Sequence, residues 1–164
     1  MSRTARVIVA LLIAAAIAPR AGGQEAIYLV RHAERTSTAA DSPLSAAGQA
    51  RARRLATSLR DAGITKIFTT DLRRTIQTAA PLAKTINLRP TVIAASDTAA
   101  LIASVHAASL HDRLLIVGHS NTVPDVLRAL GVNPEITIAD TEFDNLFIVI
   151  PRGDAPPMML RLRY

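Results

Sequence analysis

The chain has 164 residues, of which 49% are hydrophobic and 20% are charged, so it can bury the core of one domain and is not an intrinsically disordered chain. Aromatic residues make up only 3% and include no tryptophan, which argues against a protein that binds nucleic acid by stacking bases on aromatic side chains. The absence of cysteine excludes disulfides, thiol catalysis and thiolate metal sites.

The first 23 residues are predicted to be a secretory signal peptide. Arg3 and Arg6 precede the apolar run 7–18, and small residues lead up to an expected cleavage after Gly23. This run is shorter than the roughly 20 residues that span a bilayer, so we expect no lasting membrane anchor, although an uncleaved N-terminal anchor stays an alternative. Cleavage leaves 16 basic and 13 acidic side chains, a charge of +3 instead of +6, which gives no sign of a nucleic-acid partner. We expect export to a bacterial periplasm or to the medium.

The remaining domain, residues 24–164, begins with the apolar run 26–30, which predicts a buried parallel strand covered on both faces. The small, polar stretch 36–43 predicts a loop. Ser45 can then cap a predicted helix that runs to about Ala62.

The run 64–68 predicts a second strand. It is followed by a helix that we expect Thr70 or Asp71 to cap and that continues to about Ile86. Pro81 lies inside this pattern and predicts a kink or an early end of the helix, because proline cannot donate the helical hydrogen bond.

The second half of the chain continues the alternation of strands and helices. Asp97 caps a predicted helix that runs to about Leu110. The other predicted elements are strands at 91–93, 114–117, 146–150 and 158–162 and a helix at 123–130. This order predicts an α/β fold, a three-layer α/β/α sandwich around a mostly parallel sheet. The last two strands are joined too tightly for a helical crossover, so at least one strand is expected to be antiparallel.

Two of the predicted strands end in a histidine. Arg31 and His32 follow the first strand, and His119 follows the fourth. Ligands of parallel sheets bind at the carboxyl ends of the strands, so we expect both imidazoles in one pocket. The helix after the second strand begins at the same edge and carries Arg74, and helix N-termini and arginine forks both favour phosphate. Arg31, Arg35 and Arg74 are therefore predicted to surround a phosphate dianion.

These residues belong to three sequence pieces that resemble the histidine phosphatase superfamily, also called phosphoglycerate mutase-like. The pieces are Leu-Val-Arg-His-Ala at 29–33, Asp-Leu-Arg-Arg-Thr-Ile-Gln-Thr-Ala at 71–79 and Val-Gly-His-Ser-Asn at 117–121. They occur in the family's order and at similar spacing, and the resemblance covers nearly the whole mature domain. It implies a phosphoglycerate mutase-like fold in a small exported phosphatase that works through phosphohistidine, with no metal or other cofactor.

The resemblance also implies a role for each matching residue. His32 would attack phosphorus and become phosphohistidine. Arg31 and Arg74 would hold the phosphate, and His119 would stabilise the transferring group. Arg35 matches a later arginine that binds phosphate in some members. A nucleophilic imidazole must be neutral, and a hydrogen-bond acceptor at its other nitrogen fixes the tautomer.

No residue of this chain clearly matches the group that donates a proton to the leaving group in this family. Many members have a carboxylate between the second and third pieces or directly after the second histidine, where this chain has Ser120. Glu34 and Asp97 are the two candidates, and Asp97 is also explained as a helix cap. If the donor is absent, we expect substrates with good leaving groups, such as phosphohistidine, acyl phosphates or aryl phosphates.

We therefore predict a metal-independent phosphatase that acts on a small phosphorylated substrate, and export argues against a glycolytic mutase. The sequence does not indicate an oligomeric state. Three alternatives stay open: a phosphate-binding protein of the same fold without turnover, a zinc site on His32 and His119, and a serine hydrolase that uses Ser120. The last lacks a full nucleophile elbow, because position 122 is threonine where that motif requires glycine.

Overall fold

The computed structural model describes residues 24–133 and 135–164, so the predicted signal peptide lies outside the described residues. The elements are β1 Ala26–Arg31, α1 Ala46–Leu59, β2 Lys66–Thr70, α2 Arg73–Thr85, β3 Thr91–Ile93, α3 Thr98–His106, β4 Arg113–Gly118, α4 Thr122–Ala129, β5 Asn145–Arg152 and β6 Ala155–Arg163. Every predicted element is present, with bounds that differ by a few residues. None of the helices in the described ranges is long and apolar enough to cross a bilayer.

The strands form one mixed sheet in the order β3-β2-β4-β1-β5-β6. The first four of these are mutually parallel, whereas β5 is antiparallel to β1 and β6 is antiparallel to β5. Only Gly153 and Asp154 connect β5 to β6, and Gly153 has a φ of 63°, which suits a tight hairpin turn. The prediction of a mostly parallel sheet with an antiparallel part is confirmed.

The helices cover both faces of this sheet, because side chains of each central strand alternate between them. Leu29 and Ile116 face α3 and α4, whereas Val30 and Val117 face α1 and α2. The helical side chains that complete the two cores are Leu101, Val105, Val123, Val126 and Leu127 on one face and Leu55, Leu59, Ala79, Leu82 and Ala83 on the other. This arrangement confirms the three-layer prediction.

Two predicted N-caps are confirmed by hydrogen bonds to their helices. The Ser45 hydroxyl accepts from the Gly48 N–H of α1, and the Asp97 carboxylate accepts from the Ala100 N–H of α3. Both helices end earlier than predicted, at Leu59 and His106.

The predicted cap of α2 is wrong. Leu72 occupies the cap position and has no side-chain cap bond, while the Asp71 carboxylate accepts from the Ala95 N–H instead. The first N–H of the helix, on Arg73, donates to the Asp41 carboxylate at 2.7 Å. The loop 36–43 therefore caps α2 from a distance in sequence. The predicted early end at the helix proline is not found either, since α2 continues to its bound at 85.

Candidate active site

The two strand-end histidines lie side by side. β1 and β4 pair in a parallel register that sets Arg31 opposite Gly118, and the His32 N–H donates to the Gly118 carbonyl at 2.9 Å. The imidazole rings of His32 and His119 are consequently 5.3 Å apart between centroids. Both residues are buried, with 4% and 8% of their surface exposed. The fold thus brings together two side chains that are 87 positions apart in the chain.

A cavity of about 310 Å³ opens at this edge of the sheet. This volume is at the lower end of the range for small-molecule sites. Its lining consists of Arg31, His32, Arg35, Leu72, Arg74, Ala95, His119, Ser120, Asn121 and Asp140. All five residues predicted to attack, hold or stabilise a phosphate group therefore contribute to one cavity.

His32 has a defined hydrogen-bond partner on one side of its ring. Its Nδ1 lies 2.8 Å from the carbonyl oxygen of Ala33. A carbonyl can only accept, so Nδ1 carries the proton and Nε2 keeps its lone pair. Burial, together with the nearby His119 and the charges of Arg74 and Arg31, lowers the pKa of His32 to about 3. The imidazole is therefore neutral at pH 7, as a nucleophile must be.

His119 is held at both ring nitrogens. Its Nε2 lies 3.0 Å from the Thr70 hydroxyl, and its Nδ1 lies 3.4 Å from an Arg74 amino group. Burial, followed by the charges of Arg74 and Arg31, lowers the pKa of His119 to about 4. Both imidazoles are thus neutral and lie close to the positive charges of Arg31 and Arg74.

The depressed pKa values of both histidines predict an acid-sensitive fold. They are about 3 and about 4 in the folded protein, against about 6.5 for an ordinary imidazole. Below about pH 6.5 the unfolded chain therefore binds protons that the folded chain does not, and the free energy of unfolding is expected to fall as the pH falls. Urea unfolding between about pH 7 and 5 measures this slope while most carboxylates stay ionised.

His32→Ala is expected to make the slope shallower, because it removes one of the two groups that titrate only on unfolding. His111→Ala is the matched control, because His111 is exposed on the surface. Equal slopes in the wild type and His32→Ala would contradict the buried, neutral state of His32.

The Arg31 side chain has a structural role that the sequence did not indicate. Its Nη1 donates to three carbonyl oxygens, those of Ala139, Asp140 and Glu142, at 2.8, 3.0 and 3.2 Å. The guanidinium carbon also lies 4.2 Å from the ring centroid of Phe143. Arg31 therefore fixes the segment before β5 against the end of β1. No motif marks carbonyl acceptors, so sequence patterns carry no signal for this contact.

The Arg74 side chain bonds to a loop and also lines the cavity. Its Nη1 donates to the Ala40 carbonyl at 2.6 Å, which ties the loop 36–43 to α2. In the described part of the chain, the buried Nε atoms of Arg31 and Arg74 have no hydrogen-bond partner. Each of these N–H groups is therefore a buried donor without an acceptor among the described residues, which is uncommon in folded proteins. Burial, followed by the like charge of Arg35, lowers the pKa of Arg74, so a bound anion would relieve repulsion among these arginines.

Later residues of the second sequence piece fix the segment that follows His32. The Thr78 hydroxyl accepts from the Ala33 N–H at 3.0 Å, and the Gln77 side-chain oxygen accepts from the Leu44 N–H at 2.7 Å. Sequence reasoning assigned no role to either residue. Both follow Arg74 on the same helix, so a search for polar side chains along α2 is the signal that would have found them.

Neither proposed proton donor lies in the cavity lining. Glu34 forms a paired contact with Arg51, whose Nη2 and Nε lie 2.6 and 2.9 Å from Glu34 Oε1. Burial raises the pKa of Glu34, but the hydrogen bonds and charge of Arg51 outweigh it and the net pKa is lowered. Asp97 caps α3. The carboxylate that does line the cavity is Asp140, which is 98% exposed at its side chain and lies 3.9 Å from Arg31 Nη2.

The alternative chemistries find little support among these contacts. Within residues 24–133 and 135–164, no group of three or more His, Asp or Glu side chains is arranged to hold a metal ion. Ser120 lines the cavity but, among the described residues, its hydroxyl has no hydrogen bond to either histidine. A serine nucleophile requires such a base.

Part of the chain matches a known family. Residues 27–97 match the model of the histidine phosphatase superfamily (branch 1). This segment is similar to that superfamily and makes up less than half of the chain. It contains four of the predicted phosphate-site residues, Arg31, His32, Arg35 and Arg74, and ends before His119.

Curated relatives resemble the chain over part of its length. A probable phosphoglycerate mutase GpmB of Proteus mirabilis (strain HI4320) is 43% identical over 65 residues, which are 35% of this chain and 30% of that protein. The protein of the same name from Enterobacter sp. (strain 638) is 47% identical over 60 residues, 32% of this chain and 28% of the relative. The chain thus matches less than a third of the length of these relatives.

Solved phosphatase structures share the fold over most of the chain. The protein histidine phosphatase SixA, complexed with tungstate, has a TM-score of 0.64 and 17% identity, covering 84% of this chain and 96% of that one. A mycobacterial glucosyl-3-phosphoglycerate phosphatase, complexed with inorganic phosphate, has a TM-score of 0.67 and 14% identity, covering 85% and 96%. At these identities the likeness establishes the fold.

Proposed function

We propose that this protein is a phosphatase that hydrolyses a small phosphorylated substrate through a phosphohistidine on His32. The observation that carries the proposal is the state of this side chain. It is neutral, its Nδ1 proton is donated to a carbonyl, its Nε2 keeps a lone pair, and the residue lines a cavity bordered by three arginines. Sequence similarity to the histidine phosphatase superfamily over residues 27–97 supports the same chemistry.

The reaction proceeds in two displacements. The Nε2 lone pair of His32 forms a bond to phosphorus while the bond from phosphorus to the leaving oxygen breaks, and that oxygen takes up a proton from the solvent. Water then attacks phosphorus and the bond from phosphorus to Nε2 breaks, which restores the imidazole. Inorganic phosphate is released with one proton of the water, and the other proton returns to the solvent. Phosphoryl transfer depends mainly on positioning and on charge stabilisation. The arginine groups and His119 supply both at the cavity wall.

The substrate class follows from the carboxylates near His32. Glu34 is held by Arg51 and Asp97 caps a helix, so neither is free to protonate a leaving alkoxide. Asp140 lines the cavity at its exposed rim beside Arg31. We therefore propose substrates whose leaving groups need little protonation: phosphohistidine, acyl phosphates or aryl phosphates.

Export is part of the proposal. The basic start, the apolar run 7–18 and the small residues before position 24 support a cleaved signal peptide and a periplasmic or secreted phosphatase. N-terminal sequencing of the protein recovered from the periplasm or the medium measures this, and a new N-terminus near residue 24 is expected. Recovery of the full-length chain in the membrane fraction would favour the uncleaved anchor.

Trapping of the phosphoenzyme tests the activity. The domain 24–164 is mixed with a ³²P-labelled acyl or aryl phosphate, quenched in alkali and digested, and the label is located by mass spectrometry. We expect an acid-labile, alkali-stable label on His32 and release of inorganic phosphate that persists in EDTA. Phosphate binding without a label would instead support the non-catalytic alternative. Transfer of the label to a second acceptor without net release would support a mutase.

A further inference from the structure

Two hydroxyl groups in series lie beside His119, on the side of its ring opposite Arg74. The ring Nε2 is 3.0 Å from the Thr70 hydroxyl oxygen, which in turn is 2.9 Å from the Thr75 hydroxyl oxygen. Thr70 ends β2 and Thr75 lies in the first turn of α2, and both are almost completely buried. Buried hydroxyl groups in series polarise one another, so their proton order affects the histidine that they contact.

The positions of the protons follow from the last hydroxyl of this series, that of Thr75. The Thr75 hydroxyl lies 2.8 Å from the Leu72 carbonyl and 3.0 Å from the Thr70 carbonyl, and both of these oxygens can only accept. A proton donated to either carbonyl leaves the Thr75 oxygen to accept from the Thr70 hydroxyl. The Thr70 oxygen is then left to accept from the Nε2–H of His119.

Arg74 leads to the same assignment independently. Its Nη2 lies 3.4 Å from His119 Nδ1, and a guanidinium can only donate. The Nδ1 atom must therefore present a lone pair in the neutral ring. Two separate contacts, one at each nitrogen, agree that the proton of neutral His119 is on Nε2.

We propose that Thr70 and Thr75 are positioning residues that lock His119 in the Nε2–H tautomer, with Nδ1 turned toward Arg74. The importance of this lock for turnover rests on the proposed phosphatase function. The two imidazoles are thereby held in opposite tautomers, since His32 keeps its proton on Nδ1.

Thr70→Val tests the lock, because valine keeps the shape of threonine and removes its hydroxyl. Long-range ¹H–¹⁵N spectra of the ring nitrogens report the tautomer directly. We expect the Nε2–H form of His119 in the wild type and in Thr70→Ser, and a mixture of tautomers in Thr70→Val. With an aryl phosphate, kcat is expected to fall about 5- to 10-fold in Thr70→Val, the effect of one hydrogen bond, with little change in KM and recovery in Thr70→Ser.

Thr69→Val is the matched control. Thr69 precedes Thr70 in the same strand and is similarly buried, and its hydroxyl has no hydrogen-bond partner in the described part of the chain. We expect wild-type ring spectra and kcat in this variant. If Thr70→Val matches Thr69→Val in both measurements, the proposal is overturned.

Thr75→Val repeats the test from the next position, should Thr70→Val fail to fold. It frees the Thr70 proton for donation toward Nε2, so a larger share of the Nδ1–H tautomer is expected, and an unchanged spectrum would overturn the lock. The spectra need no substrate. A protein without turnover whose tautomer still depends on Thr70 would therefore refute the proposed function while supporting the positioning role.

Discussion

His32→Ala is expected to abolish turnover of an aryl phosphate, with kcat/KM lowered by at least roughly 10³-fold, on the scale seen when a catalytic nucleophile is removed. The reason is geometric. His32 Nε2 keeps its lone pair on a residue that lines the arginine-bordered cavity, whereas His119 Nε2 holds its proton toward Thr70 and the lone pair of His119 Nδ1 faces Arg74. Loss of His32 therefore leaves no equivalent nucleophile in place. Steady-state kinetics and phosphoenzyme trapping measure the two consequences together.

His106→Ala is the control for that experiment. His106 is exposed at the end of α3 and lies outside the cavity, so wild-type kinetics are expected. Circular dichroism and urea unfolding establish that both variants are folded. If His32→Ala retains the activity of His106→Ala, the assignment of the nucleophile is wrong.

Gly48→Ala is expected to destabilise the domain by about 3 kcal/mol, the upper end of the usual cost of overpacking. A β-carbon at this position would lie 2.1 Å from the carbonyl oxygen of Glu34. The neighbouring atoms belong to the backbone, so no rotamer change relieves the clash. The same carbonyl accepts the Ser45 N–H, so α1 is anchored against the segment two residues after His32. We therefore expect a loss of activity to accompany the loss of stability.

Urea unfolding of Gly48→Ala beside Gln49→Ala measures this effect. Gln49 is the next residue of the same helix and is exposed, so alanine there meets no backbone and favours the helix slightly. The control is expected to unfold at the wild-type urea concentration or above it. An equal midpoint for both variants would show that α1 can move away from the backbone of Glu34 at little cost.

The location of the site was predictable because it follows from topology. Parallel strands end at one edge of a sheet, so a histidine after each of two such strands, and an arginine at the start of an adjoining helix, must approach one another. His32, His119 and Arg74 needed no further information. The tight connection before β6 was equally informative, because two residues cannot carry a parallel crossover.

The remaining contacts depend on partners that no local pattern specifies. Asp41 caps α2 from 32 positions before Arg73, whereas Asp71, which is nearer, bonds elsewhere. The acceptors of Arg31 are backbone carbonyls more than 100 positions away, and every residue type carries such a group. The opposite tautomers of the two histidines have the same origin, since neighbours brought together only by folding select them.

The parallel register of β1 on β4 determines both the packing of the core and the position of His32 in the cavity. A shift of one residue would turn each β1 side chain to the other face of the sheet, so Leu29 would leave its core as His32 left the cavity. Selection for a well-packed interior is therefore enough to preserve the spacing of the two imidazoles. Arg35 and Asp140 lie at the rim, outside that packing. On the proposed function, substrate preference can thus diverge among descendants of this protein through rim residues, while the two imidazoles are inherited with the core.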